Sequence, residues 1–180
     1  MKRLIGIFIV FLFIFIAVKG TFAQPIQDKK FEFSTSASMW NIKFEWNDEA
    51  TTIFNVPLRI GFFAYKGIEI EPELLLTIPE DGDGTGIHVL ANVSYNLKAS
   101  DKTILFLLGG YGFGNALPLN KMALDQDERI TALNFGGGIK YLVSNSAAIR
   151  LEYRYTSYSD EEGDHFRTDN NFYLGLSIFF

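Results

Sequence analysis

The chain has 180 residues, enough for one domain, and contains no cysteine, which excludes disulfides, thiolate nucleophiles and cysteine-based metal sites. Its net charge of −5 argues against a nucleic-acid-binding protein, because such proteins carry a basic patch on their surface.

The first 23 residues have the organisation of a cleavable signal peptide. A positive Lys-Arg pair precedes an apolar run over residues 4–18, and Thr-Phe-Ala before Gln24 places small residues at positions −3 and −1. A retained membrane anchor is the alternative, because about 17 apolar residues just span a bilayer. We expect residues 1–23 to be a signal peptide and residues 24–180 to form the exported domain.

The exported part consists of segments of about ten residues that are rich in aromatic and branched side chains and are separated by turn residues. We predict eight strands, near 31–45, 52–64, 67–78, 86–97, 103–114, 129–142, 147–158 and 171–180. Short turns alternate with longer polar connections between them. That pattern is typical of bacterial membrane barrels, whereas a soluble antiparallel sandwich is the alternative. We therefore predict an all-β, eight-stranded, antiparallel, up-and-down transmembrane barrel.

Charged side chains occupy alternate positions in several of these strands, opposite an apolar face. In a membrane barrel the apolar face contacts lipid and the polar face lines the lumen. The predicted lumen charges are Arg59, Glu69, Glu71, Glu73, Lys140, Arg150, Glu152 and Arg154. The interior of an eight-stranded barrel is just wide enough for side chains, and enclosed charges need partners. We expect a salt-bridged plug, with a gated polar pathway as the alternative.

Two features depart from strict alternation. In the first segment the apolar phase changes after Met39, so that Trp40 and Ile42 fall on the opposite face, which predicts a β-bulge near Met39. Pro57 and Pro72 lie inside predicted strands, where a missing N–H costs a hydrogen bond of the ladder.

The stretch FGGGIKYLVSNSAAIRLEYRYTSYS (135–159) resembles the outer membrane β-barrel domain family of small OmpA/OmpX-like, porin-type proteins. The matching features are the glycines at 136–138, Tyr141 and the Glu-Tyr-Arg-Tyr phrase at 152–155. The resemblance implies an outer-membrane location and insertion by the outer-membrane barrel assembly machinery. It also implies that this machinery reads the apolar face of the last strand, which is formed by Phe172, Leu174, Leu176, Ile178 and Phe180.

We expect no catalysis. The Glu-Tyr-Arg-Tyr strand also looks like a strand of lipid A deacylases, in which a His and a Ser follow at alternate positions, but Thr156 and Tyr158 stand there instead. The two histidines, His88 and His165, have no obvious Ser partner in the sequence.

We expect a monomeric protein with a structural or surface-interaction role, in adhesion or envelope integrity, that contacts outer-membrane lipids and lipopolysaccharide. We expect no cofactor, no metal site and no nucleic-acid partner. A narrow porin-like channel for small solutes and a lipid A-modifying enzyme are the alternatives. The acidic loops at 80–86 and 160–165 could hold Ca²⁺, although neither has the spacing of a twelve-residue calcium loop.

Overall fold

The computed structural model describes residues 29–43, 50–80, 85–115, 129–160 and 162–180. These residues form the strands β1 (Phe31–Lys43), β2 (Ala50–Tyr65), β3 (Ile68–Pro79), β4 (Gly86–Lys98), β5 (Thr103–Asn115), β6 (Arg129–Ser144), β7 (Ala147–Ser159) and β8 (His165–Phe179). No helix in the described residues is long and apolar enough to cross a membrane. The predicted signal peptide lies outside the described residues.

Each strand pairs antiparallel with the next, and β8 pairs with β1, so the sheet closes into a barrel. This confirms the predicted fold class. The short connections at 66–67, 99–102 and 145–146 lie at one end of the barrel, which we call the turn end. The strand ends that the other four connections join lie at the opposite end of the barrel, which we call the loop end. Lys66 and Gly67 have φ values of 40° and 84°, as a tight two-residue hairpin turn requires.

Side chains alternate between an apolar outer surface and a polar interior. In β3, for example, Ile70 is 46% exposed on the outside, whereas the flanking Glu69 and Glu71 are buried inside. A water-soluble protein has the opposite arrangement. The closed ladder also gives the backbone hydrogen-bond partners that lipid cannot supply.

The eighth strand is longer than predicted. The first seven strands agree with the predicted ranges to within two residues, but β8 begins at His165 and not at 171. The polar run DNN at 169–171 reads as loop sequence, yet its residues pair with β7, as Thr156–Asp169 and Arg154–Asn171 show. Cross-strand pairing overrides the weak strand propensity of Asp and Asn at these positions. The connection from β7 to β8 is therefore limited to residues 160–164.

The bulge predicted near Met39 is wrong. β1 and β2 keep one register from Phe31–Phe62 to Lys43–Ala50. Trp40 consequently stays on the inner side of the wall, where its ring lies 4.9 Å from the guanidinium carbon of Arg167. The change of apolar phase reflects an inward-facing aromatic side chain near the loop end, and not an extra residue.

Both prolines stay inside their strands, and each interrupts one ladder. Pairing of β1 with β2 passes from Thr35–Leu58 directly to Ser38–Asn55, skipping the position opposite Pro57. Pairing of β2 with β3 similarly skips the position opposite Pro72, while β3 pairs continuously with β4 there. A proline lacks only its own N–H, so the cost is local.

The junction between β1 and β8 is shorter than the other junctions. Its pairs run only from Glu32–Phe179 to Ala37–Leu174, although both strands continue toward the loop end. Within the described residues, no backbone pairing joins residues 38–43 of β1 to residues 165–173 of β8. We call this unpaired region the seam. Inside it, the Ser38 hydroxyl donates a weak hydrogen bond of 3.4 Å to Asn171 Oδ1.

Candidate functional site

The lumen holds a network of charged side chains contributed by strands on all sides of the barrel. The structure places all eight predicted lumen residues inside, each at most 2% exposed. It adds a ninth, Glu32 of β1, which is 1% exposed. The sequence carried a signal for this residue, because Phe31 and Phe33 alternate with it and lie on the outside.

Toward the loop end, two arginines and two glutamates form a closed ring of ion pairs. Arg59 donates to Glu73 at 2.8 Å and to Glu152 at 3.3 Å. Arg154 donates to Glu73 at 2.6 Å and approaches Glu152 at 2.6 Å. Each guanidinium therefore bridges the same two carboxylates, a geometry suited to the planar fork of arginine.

The network continues toward the turn end through Arg150 and Lys140. Arg150 contacts Glu152 at 2.9 Å, Glu71 at 3.1 Å and Glu32 at 3.4 Å. Lys140 contacts Glu32 at 2.5 Å and Glu69 at 3.0 Å.

Aromatic rings and neutral polar groups complete this part of the lumen. The guanidinium carbon of Arg150 lies 4.4 Å from the centre of the Phe106 ring. Ser94 and Asn96 donate to Glu69 at 3.1 and 2.9 Å. Such contacts offset part of the desolvation cost of enclosed charges.

The charges nearly balance. Five carboxylates (Glu32, Glu69, Glu71, Glu73 and Glu152) face four cations (Arg59, Lys140, Arg150 and Arg154). The surplus carboxylate belongs to the turn-end half, where Glu69 and Glu32 share Lys140. One oxygen of Glu69 and one of Glu71 accept no hydrogen bond in the described part of the chain.

Two apolar layers enclose the network. The turn-end layer is formed by Ile104, Leu142, Ala148 and Phe179, with Phe63 packed against it. The loop-end layer is formed by Leu75, Leu90, Ile130, Ala132 and Tyr158. In the described residues the paired charges thus lie between two apolar layers, which is the arrangement expected of a salt-bridged plug.

His165 lies on the outer surface and does have a serine neighbour, contrary to the expectation from the sequence. Its Nδ1 is 3.1 Å from Ser157 Oγ and 3.0 Å from the carbonyl oxygen of Tyr158, and its Nε2 is 3.1 Å from Thr168 Oγ1. A carbonyl oxygen only accepts hydrogen bonds, so the contact with Tyr158 places the proton on Nδ1. A protonated Nδ1 cannot take the proton of Ser157, and this pair therefore lacks the arrangement of a nucleophile and its base.

His88 occupies the lumen near the loop-end layer. It is fully buried, its ring centre is 5.5 Å from that of Tyr158, and both its nitrogens lack a hydrogen-bond partner among the described residues. Among those residues, no three His, Asp or Glu side chains are grouped so as to hold a metal ion. Residues 81–84 and 161 of the acidic loops lie outside the described residues.

Comparison with known proteins gives a family match over nearly the whole chain. A model of the outer membrane protein beta-barrel domain family matches residues 12–180. No curated protein sequence matches the chain.

Several solved structures share the fold at low sequence identity. Neisserial surface protein A is 10% identical, with a TM-score of 0.59, covering 83% of this chain and 96% of its own. The N-terminal barrel domain of Pseudomonas aeruginosa OprF is 13% identical, with a TM-score of 0.58 and coverage of 84% and 98%. The Yersinia pestis outer membrane protein Ail is 16% identical, with a TM-score of 0.51 and coverage of 85% and 100%.

Proposed function

Because the chain belongs to the outer membrane protein beta-barrel domain family and is located in the outer membrane, we propose that it is a non-conducting barrel with a structural or surface-interaction role, in adhesion or envelope integrity. The observation that carries this proposal is the lumen network. Nine charged side chains, each at most 2% exposed, fill the centre of the barrel between two apolar layers.

The same network argues against the porin-like alternative. A pore needs a continuous polar path that stays hydrated, whereas Arg59 and Arg154 each bridge two carboxylates across the lumen. Opening such a path would separate buried ion pairs, which is costly because each half would be left uncompensated.

A catalytic role has little support in the described residues. The proton on His165 Nδ1 is committed to the Tyr158 carbonyl, and the other histidine, His88, is enclosed in the lumen away from lipid. We propose that the protein is not an enzyme and works without a cofactor. Its partners are outer-membrane lipids and lipopolysaccharide, with the barrel assembly machinery acting during insertion, and it acts as a monomer.

In planar bilayers we expect the wild-type protein to give no stable conductance. Replacing Arg150 and Glu152 together with alanine removes one cation and one anion from the centre of the lumen, and we expect discrete conductance steps from that variant. The matched control is the pair Lys98→Ala/Asp101→Ala, which removes a 2.7 Å ion pair of the same charges from the turn end. Stable wild-type conductance that changes when Glu71 or Arg154 is neutralised would establish the porin-like alternative.

A surface role requires that the interacting groups lie at the loop end, because bacterial barrels direct their short turns to the periplasm. Asp160, Glu162 and Asp164 lie on the short connection from β7 to β8, and the Asp164 amide donates to the side chain of Asp160 at 2.8 Å. We expect exchange of residues 160–164 for a Gly-Ser segment to reduce adherence of cells to a protein-coated surface, or their tolerance of detergent, to the level of a deletion strain. The exchanged protein should still show heat-modifiable gel migration. A deletion strain that behaves like wild type in both assays contradicts the surface role.

A further inference from the structure

We propose that residues 38–43 of β1 form a hinged flap, which swings away from β8 and opens the barrel wall sideways at the seam. Bacterial barrels direct their short turns to the periplasm, so this opening faces the outer leaflet of the membrane. The motion is separate from the proposed non-conducting role. It connects the loop-end part of the lumen with the lipid phase and leaves the charged centre of the lumen closed.

The hinge lies where β1 changes its pairing partner. Residues 32–35 pair with β2 on one side and with β8 on the other. Ser36 and Ala37 pair with β8 alone, since the ladder with β2 is interrupted at Pro57, which has no N–H to donate. In the described part of the chain, residues 38–43 pair with β2 alone. The flap can therefore bend at Ser36 and Ala37 without breaking a backbone hydrogen bond to β8.

On the turn-end side of the hinge, β1 is fixed to the lumen network. Glu32 contacts Lys140 at 2.5 Å, and Ser36 Oγ accepts a hydrogen bond of 3.2 Å from Arg59 Nη1. Gly175 of β8 lies opposite Ser36, and a Cβ at this glycine would collide with the backbone of β1. The two strands approach closely here, so this half of β1 stays in place when the flap moves.

On the loop-end side of the hinge, side chains hold the flap to β8, and no backbone pairing does so among the described residues. Ser38 donates a hydrogen bond of 3.4 Å to Asn171 Oδ1. The Trp40 ring centre lies 4.9 Å from the guanidinium carbon of Arg167, a contact that we call the latch. Opening the flap separates one weak hydrogen bond and one cation–π contact, whereas the other junctions are joined by backbone pairing along most of their length.

The two members of the latch do not depend on each other for their polar partners. Arg167 donates to the two oxygens of Asp169 at 2.7 and 2.6 Å, and it keeps both bonds when the flap opens, because both residues lie on β8. Trp40 Nε1 and Arg167 Nη1 are buried without a hydrogen-bond partner in the described residues, which is costly in the closed state. Opening therefore leaves no charge without its counterion and relieves two unpaired donors.

A rigid gap is the alternative, in which the seam is unpaired but keeps a single geometry. The two interpretations predict different distances from the flap to the opposite wall. A hinged flap has a closed and an open position, whereas a rigid gap has one position.

The first measurement is the distance between two nitroxide labels in phospholipid bilayers, by pulsed electron paramagnetic resonance. The chain has no native cysteine, so Met39→Cys/Tyr111→Cys carries labels only on the flap and on β5 at the opposite wall. Both side chains face outward, at 65% and 56% exposure, so the labels leave the lumen undisturbed. We expect two distances, the longer by about 5 Å, or roughly one strand spacing. Phe33→Cys/Tyr111→Cys, with its first label on the other side of the hinge, is the matched control and should give one distance.

Removing the latch should increase the open fraction. We expect Trp40→Ala to raise it at least about threefold, as expected for loss of one cation–π contact. Trp40→Phe keeps a ring beside Arg167 and should stay close to the parent. Arg167→Gln removes the cation and should act like Trp40→Ala. Heat-modifiable gel migration shows whether each variant is folded.

The second measurement tests whether the flap opens toward lipid. Trp46→Phe leaves Trp40 as the only tryptophan, on the inner side of the wall. Phospholipids with brominated acyl chains quench the fluorescence of a tryptophan that they reach, and we expect Arg167→Gln to increase this quenching. The control is Phe106→Trp with both native tryptophans replaced by phenylalanine. Phe106 is an inward ring of β5, 2% exposed and away from the seam, so Arg167→Gln should leave the quenching at this position unchanged.

A single distance for the Met39 couple that Trp40→Ala leaves unchanged would establish the rigid gap and overturn the proposal. Two distances for the Phe33 couple as well would show that the motion is not confined to the flap, and would also overturn it. Lengthened distances without increased quenching of Trp40 would mean that the segment moves without opening the wall, which contradicts the lateral opening. None of these outcomes bears on conductance, which tests the proposed non-conducting role separately.

Discussion

Replacing Glu152 with glutamine is expected to lower the free energy of unfolding by about 3–5 kcal/mol, the range typical of breaking a buried charge pair from one side. Glu152 contacts three guanidinium groups, those of Arg59 at 3.3 Å, Arg150 at 2.9 Å and Arg154 at 2.6 Å. Glutamine fits the same space but carries no charge. The lumen would then hold one negative charge fewer than in the parent, and three guanidinium groups would surround a neutral amide.

Glu69→Gln is the matched control, because it removes the same charge from the same lumen. Glu69 has only Lys140 as a direct cation partner, and Lys140 keeps Glu32 at 2.5 Å. Glu69→Gln therefore breaks one ion pair where Glu152→Gln breaks three, so we expect a loss of about 1 kcal/mol or less, the net value of a typical hydrogen bond. Urea unfolding in phospholipid vesicles, followed by tryptophan fluorescence, measures both variants. Equal losses would show that the position of the charge within the network is unimportant.

The main features of the barrel follow from the sequence because the side chains of each strand alternate between its two faces, whatever the neighbouring strands are. Glu69, Glu71 and Glu73 face inward for the same reason that Ile70 and Leu74 face lipid, namely the two-residue period of a strand. That period also places Glu32 in the lumen, although its segment shows a change of apolar phase. The phase change is an effect of Trp40, which faces inward by the same period and contacts Arg167, more than a hundred residues away.

The seam could not be predicted from the sequence. Local patterns give the existence of β1 and β8 but not how far they pair, because pairing across the closing junction depends on the shape of the whole barrel. The early start of β8 has a related cause, since the DNN run at 169–171 becomes strand only through its pairing with β7. The chain of contacts between Arg59, Glu73, Arg154 and Glu152 is likewise a product of closure, which brings β2, β3 and β7 around one lumen.

Alanine substitution at Phe179 and at Phe180 should affect different properties. Phe179→Ala should lower the stability of the barrel, and Phe180→Ala should lower its assembly in cells. Phe179 is 2% exposed and belongs to the turn-end apolar layer, with its ring centre 6.4 Å from that of Phe63. Phe179→Ala removes a buried ring beneath Lys140, and we expect the free energy of unfolding to fall by about 3–5 kcal/mol, as for other buried Phe→Ala changes. In cells the variant should nevertheless be assembled into the outer membrane, because its outer face is unchanged.

Phe180 is 64% exposed on the lipid-facing side, and it joins the barrel through its backbone. Its N–H donates to the Phe31 carbonyl at 2.9 Å, and its carbonyl accepts from the Lys30 N–H at 2.9 Å. Alanine keeps both bonds, so Phe180→Ala should change the unfolding free energy far less than Phe179→Ala. If the terminal aromatic ring is the assembly signal that the family resemblance implies, most of the Phe180→Ala chains should fail to reach the outer membrane, as measured by heat-modifiable migration of outer-membrane fractions.

Phe135→Ala shows whether such a failure comes from the loss of a lipid-facing ring or from the loss of an assembly signal. Phe135 is 46% exposed on the outside of β6, so this variant loses a lipid-facing ring of the same kind at a position away from the terminus. Loss of lipid contact alone would reduce assembly of Phe135→Ala and Phe180→Ala to a similar extent. An assembly defect in Phe180→Ala but not in Phe135→Ala, together with near wild-type stability of the refolded Phe180→Ala protein, would show that the assembly machinery recognises Phe180. Normal assembly of Phe180→Ala would instead mean that the closing backbone bonds to Lys30 and Phe31 are sufficient, and that the terminal ring has no role as a signal.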